Sequence, residues 1–177
     1  IALCAGDGCP DIKLQLGIEA VCTLRKTDPA VRASFFLKPY PNENLFERIE
    51  MIGDNAEVIG NDIDSYNIVT MRNQAHLEKK TPAQIAEIRA HLTVPYAVKG
   101  VFTEDDISLV KESKPDIVVI SNHGGRVETR TGSTAEFLAE HAAELKKYCG
   151  EIWIDGGIRT HEDVQTALFF GASRVLA

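Results

Sequence analysis

Short apolar, β-branched runs alternate along this chain with longer segments of helical period, and that alternation constrains the fold more than any other feature. The runs that read as strands are Ile1–Ala5, Ser34–Lys38, Glu57–Asp64, Tyr96–Val101, Asp116–Ser121, Ile152–Asp155 and Arg174–Ala177. Between them lie helical patterns over Asp11–Arg25, Asn44–Asn55, Pro82–Leu92, Glu104–Glu112, Thr134–Tyr148 and His161–Phe169. A helix after each strand is the crossover that parallel strands need, so the pattern predicts an α/β fold of repeated βα units around one parallel sheet. Such a sheet either stays open and doubly wound or closes into a barrel.

Helix-start chemistry supports these elements. Thr81 precedes Pro82 as an N-cap before a proline at the first helical position, and Thr103 precedes three acids, Glu104, Asp105 and Asp106, that suit the positive end of a helix. Thr160 stands three residues before Asp163 in the manner of a capping box. The stretch from Ser65 to Lys80 carries neither period, and its length suggests a functional connection such as a lid.

Composition excludes several classes. The formal net charge of −7 offers no basic footprint for a nucleic-acid backbone. No apolar run approaches the roughly 20 residues of a membrane span, which leads to the expectation of a soluble, cytoplasmic protein. Cys4, Cys9, Cys22 and Cys149 form no Cys-x-x-Cys pair and stand beside no histidines at zinc-ligand spacing. They are expected to be reduced packing residues, with no metal site.

In both parallel architectures ligands bind beyond the carboxyl ends of the strands. Here those ends carry Gly6-Asp7-Gly8, Lys38-Pro39-Tyr40, Asp62-Ile63-Asp64, Lys99-Gly100, Ser121-Asn122-His123-Gly124-Gly125-Arg126 and Asp155-Gly156-Gly157-Ile158-Arg159. In the last, two glycines after an apolar strand allow backbone N–H groups to approach an anion, the next helix offers its positive end, and Arg159 adds a planar donor fork. A Gly-Gly turn alone also serves as a tight βα connection. His123 at a strand end can accept a proton while Arg126, three residues on, clamps a carboxylate. Lys99 at a barrel rim would stabilise negative charge developing on an electron-rich ring, although a single lysine also snorkels to solvent.

Taken in order and spacing, Lys99-Gly100, Ser121 to Arg126 and Asp155 to Arg159 resemble the FMN-dependent α-hydroxy acid oxidases and dehydrogenases, the group of glycolate oxidase, lactate oxidase and flavocytochrome b2. The match is clear from about Pro95 to Ala177 and looser before Val94. The resemblance implies a TIM (β/α)8 barrel with FMN at its C-terminal face and oxidation of a small 2-hydroxy acid to the 2-oxo acid. It implies that His123 is the base, oriented by Asp64, and that Arg126 binds the substrate carboxylate with Tyr40 touching substrate. Lys99 would contact the N1/O2 side of the flavin, Ser121 would lie near the ring, and Asp155, Gly156, Gly157, Ile158 and Arg159 would surround the phosphate. Lys38 stands where the family places a flavin-contacting glutamine, and Asp62 where it places a threonine. A second arginine common in the family has a single candidate, Arg72, at no alignable spacing.

The resemblance also implies an electron acceptor, dioxygen or a redox partner, and leaves a homo-oligomer open. Two other readings share the cofactor: an isomerase like type 2 isopentenyl diphosphate isomerase, which lacks the His-Gly-Gly-Arg constellation, and a non-catalytic flavin-binding barrel. A flavin-free barrel of the IMP dehydrogenase kind shares the Asp-Gly-Gly turn but needs a catalytic cysteine, for which none of the four is convincingly placed. A complete barrel takes about 250 residues and eight βα units, whereas this chain has 177 residues. Matched to the family, Ile1 starts the second barrel strand and Ala177 falls inside the eighth. The expectation is a single FMN-binding TIM-barrel domain over residues 1–177, truncated at both ends and lacking its first strand. The Gly-Arg pair that the family places after the eighth strand is also missing.

Overall fold

The computed structural model describes residues 2–8, 11–68, 74–127 and 130–177. Seven strands alternate with six α-helices: β1 (Leu3–Gly6), α1 (Ile12–Arg25), β2 (Ala33–Leu37), α2 (Asn42–Ile52), β3 (Ala56–Asp62), α3 (Pro82–His91), β4 (Tyr96–Val101), α4 (Glu104–Ser113), β5 (Ile117–Ile120), α5 (Thr134–Leu145), β6 (Glu151–Asp155), α6 (His161–Phe169) and β7 (Arg174–Leu176). The strands form one sheet in sequence order, every neighbouring pair parallel. The sheet curls into an incomplete TIM barrel, and β1 and β7 end it without pairing to each other among the described residues.

Period-2 burial explains why the sheet curls around a core of its own. On β2, β5 and β6, Phe35, Leu37, Val118, Ile120, Ile152 and Ile154 pack outward with helix residues such as Leu45, Ile107 and Leu138. The alternate residues Phe36, Val119 and Trp153 join Val58 and Ala97 in a separate inner cluster. Gly60 makes room for it, since a Cβ there would stand 2.7 Å from the Phe36 ring. Phe36 and Trp153 meet edge to face at 6.4 Å between centroids.

Helix starts follow the local chemistry. Thr81 and Gln84 form a full capping box, as do Thr160 and Asp163, and the Thr103 hydroxyl accepts from the Asp106 N–H. The differences from expectation lie at element ends. The strand expected over Glu57–Asp64 stops at Asp62, because the Ile63 N–H turns onto Asn61 and Lys99 carbonyls and Ser65–Asn67 winds as a 3-10 turn. The helix expected to reach Asn55 ends at Ile52, where Gly53 takes φ 55° and a short 3-10 turn follows. The helix expected to reach Tyr148 ends at Leu145.

The cysteines are a correction. Cys4, Cys22 and Cys149 are free, but Cys4 and Cys22 are exposed and so do not pack in the core, Cys4 because it lies on the end strand β1. Cys9, Ile1 and Arg72 lie outside the described residues. No helix among the described residues is long and apolar enough to cross a membrane.

Candidate active site

The inner-face period runs past the apolar layer at the C-terminal end of the strands. Two residues beyond Phe36, Ala97, Val119 and Trp153 come Lys38, Lys99, Ser121 and Asp155, and Asp62 lies four beyond Val58. Strand geometry therefore gathers polar groups from five strand ends at one mouth. Lys38 Nζ lies 2.5 Å from Asp62 Oδ2, and Lys99 Nζ lies 3.2 Å from Asp62 Oδ1 and 2.9 Å from Asp155 Oδ2. Ser121 Oγ donates to Asp155 Oδ2 at 3.2 Å. Burial works to raise the Asp62 pKa, but Lys99 and then Lys38 outweigh it and hold the carboxyl at about 2. Burial likewise disfavours the Lys99 ammonium, and Asp62 and Asp155 reverse that effect and hold its pKa above the ordinary lysine value.

His123 is placed by an unusual turn. Its own φ is 54°, and Gly124 and Gly125 follow at 64° and 74°. A non-glycine residue in this region is strained, and here the surroundings hold it: the His123 N–H donates to Ser121 Oγ at 3.2 Å, and Asn122 Oδ1 accepts from the Gly124 N–H at 3.1 Å. The ring's Nδ1 lies 3.1 and 3.3 Å from the two oxygens of Asp64, which is fully buried. A carboxylate in its ionised form only accepts, so this contact suits the imidazole tautomer that carries its proton on Nδ1 and leaves the Nε2 lone pair free. Gly100 makes the pair feasible: at φ 97° its missing Cβ would stand 2.5 Å from the Asp64 carboxyl. Arg126 Nε donates to the His123 backbone carbonyl at 2.9 Å, which anchors the guanidinium to the same turn, and both residues line the same cleft.

Lys38, Asp62, Lys99, His123 and Arg126 line one cleft of about 480 Å³, walled also by Phe36 and the Gly6-Asp7-Gly8 turn. Ile68 and Gln74 border it, so two described residues of the connection expected to act as a lid lie at its edge, and residues 69–73 lie outside the described residues. Asp64 stands behind His123 rather than in the cleft lining. Tyr40 is buried, with the Arg48 guanidinium 4.0 Å from its ring centroid, and also lies outside that lining. Gly156, Gly157 and Ile158 line a second hollow of about 350 Å³ with the first residues of α5. Arg159 is exposed, lines neither hollow, and donates its backbone N–H to Asp163 Oδ2 at 2.9 Å. Asp62, Asp64 and His123 are close enough to be weighed as a cation site, but the two ammonium groups already on Asp62 oppose a further cation.

A family model described as FMN-dependent dehydrogenase matches residues 20–177. The chain belongs to this family. A 4-hydroxymandelate oxidase of Amycolatopsis orientalis is 36% identical over 92 residues, covering 52% of this chain and 26% of that protein. A cytochrome-type L-lactate dehydrogenase of Wickerhamomyces anomalus is 39% identical over 95 residues, covering 51% of this chain and 17% of that protein. A solved mandelate oxidase with benzoyl-formic acid superposes with a TM-score of 0.64 at 26% identity, over 81% of this chain and 48% of that one. Another mandelate oxidase, a variant holding a monooxide FMN adduct, gives 0.68 at 24% identity over 99% and 63%. The chain thus spans about a quarter or less of those two curated relatives and about half to two thirds of the two solved chains.

FMN is the cofactor of the family, as the sequence motifs implied. The residues present fit it. Lys99 and Lys38 put ammonium donors in the cleft for the electron-rich edge of a flat ring. Gly156 and Gly157 take φ 95° and 78°, and a Cβ at Gly157 would meet nothing within 4 Å, so that turn has open space for a phosphate beside backbone N–H groups.

Sequence reasoning missed three supports. Asp7 Oδ1 accepts the Lys38 backbone N–H at 2.8 Å and so anchors the end of β2; its place between two glycines at a strand end was the available signal. Gly100 was visible only as the neighbour of Lys99. Arg130 bonds the Gly100 carbonyl and pairs with Asp106 at 2.9 Å, tying the loop after Arg126 to β4. Nothing local in the sequence marks Arg130, because both partners are distant along the chain.

Proposed function

We propose that this protein oxidises a small 2-hydroxy acid to the 2-oxo acid with FMN. The observation that carries the reading is the buried Asp64–His123 pair opening on a cleft it shares with Lys99 and Arg126. Asp64 holds the Nδ1–H, so His123 offers Nε2 as a base to the substrate, and the resulting imidazolium is stabilised by the carboxylate behind it. Arg126, anchored through Nε, pairs with the substrate carboxylate and sets the reacting carbon beside the base. Bound FMN supplies the two-electron acceptor for this chemistry. Lys99, fixed between Asp62 and Asp155, would offer its ammonium to a flavin ring bound in this cleft. The electron acceptor would be dioxygen or a redox partner; the matched relatives include proteins named as oxidases and as a cytochrome-type dehydrogenase.

The absorption spectrum of the purified protein, compared with that of His123→Ala, tests these roles. The expected result is a yellow protein in both forms, with turnover lost in the variant by about a thousandfold or more. Loss of the flavin on replacing His123 would assign that residue to cofactor binding instead.

A further inference from the structure

Two positions depart from the family pattern noted in the sequence, Lys38 and Asp62, and the fold brings them together. β2 and β3 are neighbours whose register pairs Leu37 with Asn61, so the next residues along each strand, Lys38 and Asp62, stand side by side. Their charged atoms are 2.5 Å apart, with side chains only 12% and 7% exposed. Lys99 takes the other carboxylate oxygen of Asp62 at 3.2 Å. One aspartate therefore separates two ammonium groups in the same cleft.

Each of the two charges is balanced in part by the other. With Lys38 alone, two lysines would share the mouth with no carboxylate between them. With Asp62 alone, Lys99 would be the remaining cation on a buried carboxylate. Removing one member of a buried pair leaves an uncompensated charge, whereas replacing both by neutral residues of similar size is close to neutral.

We propose that Lys38 and Asp62 are a matched pair of positioning residues that balances the charge around the flavin ring and holds Lys99 in place against it. The proposal rests on the FMN reading. It makes Asp62 the counter-charge that lets this chain carry two lysines in a cleft where the family pattern has a glutamine and a threonine beside one. The pair acts on the cofactor through charge, so its signature is opposite shifts on removing each member and restoration on removing both.

The test is a double-mutant cycle in the holoprotein: Lys38→Gln, Asp62→Thr and the combination, with Asp62→Asn as the isosteric variant should the threonine form not fold. The readout is the midpoint potential of the bound flavin, followed by equilibration with a redox dye, alongside thermal melts of each apoprotein. Asp62→Thr or Asp62→Asn leaves excess positive charge, stabilises reduced flavin and is expected to move the dye equilibrium by about tenfold toward it. Lys38→Gln is expected to move it by a similar factor the other way. The double variant should return to within about threefold of the parent, and the apoprotein melts should show the same restoration. Potential shifts of the same sign in the two single variants, a double variant that stays displaced from the parent, apoprotein melts in which the two single losses simply add, or unchanged potentials in both single variants while flavin stays bound, would overturn the pairing and leave the FMN reading standing. A parent protein that takes up no FMN would overturn both.

Discussion

Two carboxylates at the mouth of the barrel meet opposite surroundings, and their protonation follows. Asp62 has two ammonium partners, and its pKa of about 2 lies below the ordinary value of 3.8. Its ionisation therefore stabilises the fold above about pH 3.8, and that contribution is lost as pH falls toward 2. Asp7 is the opposite case. Burial raises it to about 6, with the Lys38 N–H and the charges of Lys38 and Arg48 only partly offsetting, and its Oδ2 makes no hydrogen bond. A raised pKa means that stability is full below pH 3.8 and declines as pH rises through 6. Asp7→Asn keeps the acceptor for Lys38 and removes the titration. The variant is expected to flatten the stability profile between these limits and to be more stable than the parent above pH 6, by on the order of 3 kcal/mol, as read from urea denaturation across pH. A parent profile already flat over that range would contradict the assignment. Asp7 was legible in the sequence as part of a strand-end turn, but its partner was not, because the contact with Lys38 spans 31 positions.

Elements were the most legible level, because what makes them is local: a period of two or of about 3.6 residues, and a hydroxyl or carboxyl within three residues of a helix start. β4 and α6 have the bounds the sequence predicts, and Thr81, Thr103 and Thr160 all cap as expected. The segment before α3 was opaque for the opposite reason. Lys80, read only as the end of an aperiodic stretch, is fully buried at its side chain and donates to the Tyr40 carbonyl at 2.5 Å, Asn42 Oδ1 at 2.8 Å and Glu78 Oε1 at 2.8 Å. The Glu78 N–H reaches the Pro39 carbonyl at 2.9 Å, so this cluster clips the start of α3 to the β2–α2 turn. Lys80→Met would take the ammonium donor from all three acceptors, of which Glu78 Oε1 keeps the Gln84 amide at 2.7 Å. The expected loss is about 2–4 kcal/mol of stability in chemical denaturation, against near-neutral behaviour for Lys79→Met, whose side chain is 62% exposed. Equal, small effects at both positions would contradict the clip.

At the scale of the molecule, a parallel sheet curling around its own inner cluster puts the ends of β2 to β6 into one rim, which is how motifs far apart in the chain become a single site. The His123 and Arg126 motif was legible because both residues lie in one turn, whereas Asp64, 59 positions away, was set behind His123 only through the family resemblance. The glycine turn at Gly156 was legible as a motif, but it lies in a separate hollow from the catalytic groups, a separation that spacing alone does not reveal. We propose that this rim carries out oxidation of a 2-hydroxy acid. Anaerobic mixing of the purified holoprotein with a panel of 2-hydroxy acids, including lactate, glycolate and mandelate, tests it most directly through the loss of flavin absorbance. At least one acid is expected to bleach the flavin with one equivalent of 2-oxo acid formed per flavin, and His123→Ala is expected not to bleach. A yellow protein that no member of the panel bleaches would contradict it.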